Sequence, residues 1–111
     1  MKKIGKETYA TTPKEVLIAA RWMIENVGWC QGTSFRDQNG RGVFDRNCRP
    51  TAMCMYGAVI RANAAEFLVD EALSALENAT APLLPYEFND APGRTKKDVL
   101  MVLDGAIATC A

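Results

Sequence analysis

The chain has 111 residues with 13 basic and 13 acidic side chains, which is one domain's worth of sequence at zero net charge. The balanced charge excludes a general nucleic-acid coat and a polybasic membrane anchor. The absence of histidine excludes histidine-based triads, histidine general bases and histidine-liganded metal sites. No apolar run approaches the roughly 20 residues of a membrane span, and the start of the chain lacks the apolar region of a signal peptide. We therefore expect a cytoplasmic protein with no membrane partner.

The first predicted element is a helix over residues 12–28, preceded by an N-terminal arm over residues 1–11. Thr12 is a favourable N-cap, and Pro13 suits the first helical position. Glu15 stands three residues after Thr12, which is the spacing of a capping box. Apolar residues follow at helical spacing, and Gly28 is placed to end the helix in a left-handed conformation.

Residues 29–50 form an insert of a different character, rich in glycine and poor in helical periodicity. Asn39-Gly40 is a strong hairpin signal. It predicts that the stretch 33–35 pairs with the stretch 42–44 as two short strands. The alternative is an irregular ordered loop.

A central helix is predicted over residues 51–62, opening at Thr51 after Pro50. Its sequence is apolar nearly all round, which is typical of a helix buried on most faces. Gly57 inside it costs about 1 kcal/mol relative to alanine. This cost favours a close packing contact at that glycine.

The remaining elements are a third helix over residues 63–79 with Asn63 as N-cap, a loop over residues 80–94, and a fourth helix over residues 95–110 that opens at Thr95. The expected fold class is mainly α: a compact four-helix single domain with a short β-hairpin or ordered loop between helices 1 and 2. The predicted core consists of the apolar positions of the helical stripes: Val16, Ala20, Met23, Ile24, Val27, Met55, Val59, Leu68, Ala72, Leu76, Val99, Leu103 and Ile107.

The four cysteines, at positions 30, 48, 54 and 110, contain no CxxC pair. We therefore expect reduced thiols that act as small apolar side chains. A metal cluster of Cys30, Cys48 and Cys54 is the alternative, although zinc sites usually show a close ligand pair.

The zero net charge hides two opposed halves. Residues 1–61 hold ten basic and five acidic side chains, whereas residues 62–111 hold three basic and eight acidic ones. Complementary surfaces within one fold explain this split without a partner. The functional interpretation is a bipolar surface that favours head-to-tail homo-oligomers or a charged partner.

Two polar stretches could bind an anion. The insert carries four arginines beside aromatic residues, and a guanidinium group can hold phosphates or carboxylates through paired donors. The stretch 89–97 brings three basic residues to a helix N-terminus. The alternatives are an exposed loop with local Arg–Asp pairs, and a turn built by Asn89 and Asp90. The candidate ligand-binding residues are Trp29, Gln31, Arg36, Arg46, Arg49, Tyr56, Asn89, Asp90, Arg94 and Thr95.

Three stretches together resemble a family of small phage and bacterial proteins of unknown function. They are Val27-Gly28-Trp29-Cys30-Gln31-Gly32, then Cys54-Met55-Tyr56-Gly57-Ala58, and Asn89-Asp90-Ala91-Pro92-Gly93-Arg94-Thr95 leading into Asp98-Val99. The resemblance covers about residues 13–108 and implies a helix-rich single domain. It brings no established activity and no catalytic residue. It does imply a phage accessory product, of a kind that often acts by binding.

The functional hypothesis is therefore a non-enzymatic binding protein, with a counter-defence role, that sequesters a phosphorylated or nucleotide-like small molecule. One alternative is an inhibitor that binds a host or defence protein through the acidic helix or the bipolar surface. The other is a small hydrolase based on Asp90 and nearby carboxylates. No cofactor, no catalytic residue and no general nucleic-acid binding are predicted; the partner is a small anionic ligand or a host protein.

Overall fold

The computed structural model describes residues 10–44, 48–62 and 64–110. Within them the chain forms α1 (Pro13–Asn26), β1 (Phe35–Arg36), β2 (Gly42–Val43), β3 (Ala52–Met53), α2 (Met55–Arg61), α3 (Glu66–Thr80), α4 (Pro85–Asp90) and α5 (Lys96–Thr109). The fold is mainly α, as expected, but the described part contains five helices rather than four. The additional helix is α4, which lies inside the stretch that was predicted to be a loop.

The start of α1 follows the sequence prediction with one change. The Thr12 hydroxyl accepts from the Glu15 backbone N–H at 3.1 Å. The Glu15 carboxylate, however, accepts from the backbone N–H and the hydroxyl of Thr11, both at 2.8 Å. The reciprocal bond of the capping box is therefore made one residue earlier than the sequence pattern indicates. Most of the predicted N-terminal arm, residues 1–9, lies outside the described residues.

Gly28 follows α1 for a reason that the sequence does not show. It has φ +152°, and a Cβ atom at this position would lie 2.5 Å from the Thr51 carbonyl oxygen. Its own carbonyl accepts from the Met53 backbone N–H at 3.0 Å. The glycine is needed because the strand β3 passes directly against it, rather than as a left-handed helix cap.

The three short strands form one antiparallel sheet in the order β2-β1-β3, so that Phe35 pairs with Val43 on one side and Met53 on the other. The hairpin between α1 and α2 is therefore present. Its connection spans residues 37–41, so it is longer than a two-residue Asn-Gly turn. The Asp37 carboxylate organises this connection by accepting from the backbone N–H groups of Asn39 and Arg41.

The prediction of a helix over residues 51–62 is wrong at its start. Ala52 and Met53 lie in β3, and α2 begins at Met55. The Cys54 backbone N–H donates to the Ser34 carbonyl at 3.0 Å, and the Cys54 sulfur accepts from the Gly57 N–H at 3.2 Å as the N-cap. Pairing with β1 thus outweighs the local helical tendency, which is a common tertiary override of sequence pattern.

The core matches most of the predicted positions. Ten of the thirteen predicted residues are buried, while Met23 and Ile107 are partly buried and Val27 is 41% exposed. Val27 lies at the end of α1, where the chain turns toward the sheet. The prediction missed large buried side chains that only the tertiary structure explains: Leu17, Phe35 and Met53.

The acidic second half of the chain contacts the basic first half through α1 and α5. Arg21 Nε donates to the Asp104 carboxylate at 2.6 Å, which pairs a basic residue of the first half with an acidic residue of the second. Lys96 Nζ donates to the Glu25 backbone carbonyl at 3.0 Å, which joins the same two helices without pairing opposite charges. The hydrogen bond to Asp104 raises the pKa of Arg21. Part of the charge split is therefore an internal complementarity.

The last two long helices begin differently. α3 has Ala65 as its N-cap without a side-chain bond, and the predicted cap Asn63 lies outside the described residues. α5 has the full reciprocal box of Thr95 and Asp98, whose bonds measure 3.0 and 3.2 Å. The bond from the Thr95 backbone N–H lowers the pKa of Asp98. Among the helices described, none has the length and apolar character needed to cross a membrane.

Candidate functional site

Asn89, the penultimate residue of α4, is fully buried and joins three parts of the chain. Its Oδ1 accepts from the Trp29 indole N–H at 2.8 Å and from the Met55 backbone N–H at 3.0 Å. Its Nδ2 donates to the Cys30 carbonyl at 3.0 Å and to the Asp90 carboxylate at 2.9 Å. The amide therefore uses both acceptor positions and both donor hydrogens, which is its full hydrogen-bonding capacity.

The turn after Gly28 is held against the end of α4 by three further hydrogen bonds. Gln31 Nε2 donates to the carbonyls of Asn89 and Ala91, at 3.0 and 3.2 Å. The Gly32 backbone N–H donates to Asp90 Oδ1 at 3.0 Å. Trp29, Gln31 and Asn89 thus act as a structural clasp between the turn 29–32 and α4, and we use the name Asn89 clasp for these three residues.

The candidate arginines do not assemble into one anion site. Arg36 donates to the carbonyls of Gln31 and Gly40, at 2.9 and 3.1 Å. Arg94 donates through Nε to the Phe88 carbonyl at 2.8 Å, and its guanidinium lies 3.6 Å from the centre of the Phe88 ring. Arg49 is exposed. Arg46 lies outside the described residues.

The predicted anion site at the start of α5 is also not assembled in the structure. The Thr95 hydroxyl caps its own helix, and Lys96 reaches across to the Glu25 carbonyl on α1. Arg94 lies over the Phe88 ring, so two of the three basic residues expected around an anion contact other parts of the fold, whereas Lys97 is exposed. The alternative of a turn built by Asn89 and Asp90 also differs from the structure, because both residues belong to α4 and the chain turns after them, at residues 91–94.

A shallow cleft of about 210 Å³ opens beside the clasp. Asp90 is the charged member of its lining, and Tyr56 and Tyr86 are 41% and 56% exposed. Of the ten candidate residues, Tyr56 and Asp90 line this cleft. The other lining residues come from the turn, the hairpin and the adjoining helices: Gly32, Thr33, Ser34, Phe44, Cys54 and Tyr86.

Little in the sequence indicates that the other lining residues, such as Tyr86, Cys54 and Phe44, would belong to a cleft. Tyr86 belongs to α4, which starts with Pro85 at a favourable first position but has no Ser, Thr, Asp or Asn as N-cap. The expectation for Cys54, as for the other cysteines, is a small apolar side chain rather than a residue that lines a cleft. Phe44 was assigned to the hairpin, and nothing in its local sequence indicates that its ring remains 79% exposed.

The thiol of Cys54 is a poor nucleophile in this setting. Burial raises its pKa, and burial also raises the pKa of the neighbouring Cys30 thiol to about 11. The thiolate is the reactive form of cysteine, so neither group is activated for covalent catalysis. In the described part of the chain, no three cysteine or carboxylate side chains are placed to hold a metal ion, so a cluster of Cys30, Cys48 and Cys54 is not formed.

The comparison with known proteins agrees with the resemblance seen in the three sequence stretches. A family model described as a family of unknown function, DUF6197, matches residues 8–109, which is nearly the whole chain. The comparisons found no match among curated proteins and none among solved structures. On the extent of this match, the chain belongs to the DUF6197 family of unknown function.

Proposed function

We propose that this chain is a non-enzymatic binding protein whose ligand inserts one small group into the cleft beside Asp90. The observation that supports this most is the placement of the Asp90 carboxylate. Its Oδ1 accepts from the Gly32 N–H and from the Asn89 amide, so the carboxylate is positioned by the clasp before any ligand arrives. Preorganised polar groups at the edge of an aromatic cleft are typical of binding sites.

The size of the cleft limits what can enter it. Pockets for drug-sized ligands span about 300–1,000 Å³, and this cleft has about 210 Å³. It therefore accommodates one ring or one short polar group rather than a whole nucleotide. The tyrosines at its rim offer aromatic faces, which suit a planar ring or a cationic group.

The charge of the lining favours a group that donates hydrogen bonds. An ionised carboxylate accepts but cannot donate, so Asp90 selects an amino, amidine or similar group. For the nucleotide-like ligand expected from the sequence, the base is the part that fits here. A phosphate would need a cation from outside the lining of the cleft, and Arg49 is the exposed arginine among the described candidate residues. The phosphorylated ligand and the counter-defence role stay predictions.

Asp90→Asn is expected to weaken binding at the cleft at least tenfold while the fold is kept. The substituted amide keeps an oxygen for the Gly32 N–H but loses the negative charge. The measurement is a titration of the isotope-labelled chain with adenosine, with adenosine monophosphate and with an uncharged ring such as benzyl alcohol, followed by the amide signals of residues 32–34 and 90. Asp70→Asn on the exposed face of α3 is the matched control.

Two results would contradict this proposal. One is that none of the probes shifts the signals of the cleft residues while the folded chain is intact. The other is that Asp90→Asn and Asp70→Asn bind the active probe equally well. The phosphorylated ligand would be supported if adenosine monophosphate bound more tightly than adenosine and if Arg49→Ala removed that difference in affinity.

A second candidate function is capture of a basic protein partner through α3. Phe67 is 63% exposed, and Asp70 and Glu71 follow it at the i+3 and i+4 positions of the same helix face. An exposed aromatic residue beside like charges is typical of the anchor of an interaction surface. No basic residue occurs between Ala62 and Gly93, so the whole face is complementary to a basic partner.

The double substitution Glu71→Lys with Glu77→Lys is expected to abolish capture of such a partner in affinity purification from the natural host background. The reason is that like charges at a docking surface repel a basic partner. The control is Lys14→Glu with Lys97→Glu, which reverses the charge of two residues outside α3. Equal recovery of the same partner by both double variants would count against this surface.

A further inference from the structure

We propose that Cys30 and Cys54 are an oxidative modification site: a buried dithiol that a peroxide converts to an intramolecular disulfide. This goes beyond the proposed binding function and does not depend on it. The pair joins the turn after α1 to the start of α2, across the wall of the cleft.

The backbone brings the two cysteines into register. Trp29 and Met53 form a parallel bridge, in which the Met53 N–H donates to the Gly28 carbonyl and the Cys30 N–H donates to the Met53 carbonyl, at 3.0 and 3.1 Å. Cys30 and Cys54 are the next residues along the two segments. Neighbouring strands lie about 4.8 Å apart, and this spacing, carried one residue beyond the isolated bridge, falls within the roughly 4.4–6.8 Å between Cα atoms that a disulfide needs. Residues that succeed a bridged pair in parallel also point to a common face.

The surroundings of the two thiols agree with this register. The Asp90 carboxylate acts electrostatically on both cysteines, and the Cys54 sulfur acts on Cys30. Both side chains are buried, with 8% and 5% of their surface exposed. Cys30 Sγ donates to the Thr33 carbonyl at 3.6 Å, and a weak bond of this kind must be exchanged before the sulfur can reach Cys54. Burial of both thiols favours reaction within the chain over reaction with a second chain.

The cleft provides the route for the oxidant, because Cys54 belongs to its lining. The Gly57 N–H donates to the Cys54 sulfur at 3.2 Å and stabilises negative charge there. Since burial raises the pKa of both thiols, we expect a slow reaction that needs sustained exposure to peroxide. A small oxidant is required because the cleft has only about 210 Å³.

The reaction has two steps. The Cys54 sulfur attacks one oxygen of hydrogen peroxide, the O–O bond breaks, and the products are a sulfenic acid on Cys54 and one water. The Cys30 sulfur then attacks the Cys54 sulfur, the S–O bond breaks, and the departing hydroxide takes the Cys30 proton to form a second water. Two thiols are oxidised and one peroxide is reduced.

The disulfide would close a loop that contains the hairpin of β1 and β2. Cross-linking restricts the unfolded chain, so the oxidised protein is expected to unfold at a temperature roughly 5–15 °C higher than the reduced protein. The half-buried Cys48 and Cys110 have no place in this bond, which makes them suitable for removal.

The test uses the full chain carrying Cys48→Ala and Cys110→Ala. After peroxide treatment, denaturation and alkylation, we expect a monomer that takes up no label and is lighter by two hydrogen atoms. Reduction should restore two labels. Cys54→Ala in the same background should lose both the mass change and the rise in unfolding temperature.

The proposal would be overturned if both cysteines were still alkylated after prolonged peroxide treatment. It would also be overturned if Cys54 became a sulfinic acid while Cys30 was still alkylated. The same test can be made on the wild-type chain without any substitution. After peroxide treatment, a non-reducing digest should contain a peptide in which Cys30 is linked to Cys54. If that digest shows both cysteines only as separate alkylated peptides, the proposal fails.

Discussion

Asn89→Ala is expected to lower the free energy of unfolding by about 3–4 kcal/mol. The substitution leaves the Trp29 indole N–H, the Met55 N–H and the Cys30 carbonyl without their partner. A buried polar group that loses its partner costs about 1–3 kcal/mol, and partial access of water reduces the sum. The removal of a fully buried side chain adds a small cavity to this cost.

The measurement is urea unfolding followed by the fluorescence of the two tryptophans and by circular dichroism. Asn78→Ala is the matched control, because Asn78 is exposed on α3 and should change stability by no more than about 0.5 kcal/mol. If both variants unfold at the same urea concentration as the wild-type chain, the Asn89 clasp does not stabilise the fold.

The importance of Asn89 could not be read from the sequence because its partners are distant in the chain. Trp29 and Met55 lie 60 and 34 residues away, and each contributes an N–H group. The residue types of Asn89-Asp90 indicate a turn, whereas both residues belong to α4 and the turn follows them. The contacts that decide the role of Asn89 depend on how α4 packs against the turn 29–32 and the start of α2.

The elements that were predicted correctly carry their signal locally. The hydroxyls of Thr12 and Thr95 each accept from a backbone N–H three residues later, so four consecutive residues are enough to predict each helix start. The errors at β3 and α4 have the opposite origin. Ala52 and Met53 have neighbours that suit a helix, but they form a strand that pairs with β1, and the Met53 backbone also bonds Gly28 and Cys30. Such pairing depends on residues that a local pattern does not include.

The distribution of the candidate residues has a consequence for function. Sequence motifs rich in Asn, Asp, Gly and Arg suggest ligand binding, yet here the amide and guanidinium groups of Gln31, Asn89 and Arg94 are used within the fold. Asp90 differs because it both accepts from the turn and lines the cleft. Loss of function in a variant of the clasp would therefore report unfolding, whereas Asp90→Asn reports binding.

Gly57→Ala is expected to destabilise the chain by about 3 kcal/mol, although alanine is the better helix former. A Cβ atom at this position would overlap the Ser34 carbonyl oxygen and lie 3.2 Å from the Phe35 ring. That carbonyl cannot easily move, because it accepts from the Cys54 N–H at the start of α2. The close packing predicted at Gly57 is therefore a contact between α2 and the backbone just before β1.

Gly105→Ala provides the control with the opposite sign. Gly105 lies inside α5 and has no neighbour within 4 Å of a built Cβ, so alanine should raise the stability by about 0.5–1 kcal/mol. Thermal unfolding of the two variants beside the wild-type chain measures both effects. If Gly57→Ala also raises the unfolding temperature, α2 does not pack against the Ser34 carbonyl. Residues of α2 and of the segment before β1 both line the cleft, so its shape would then differ from the one described.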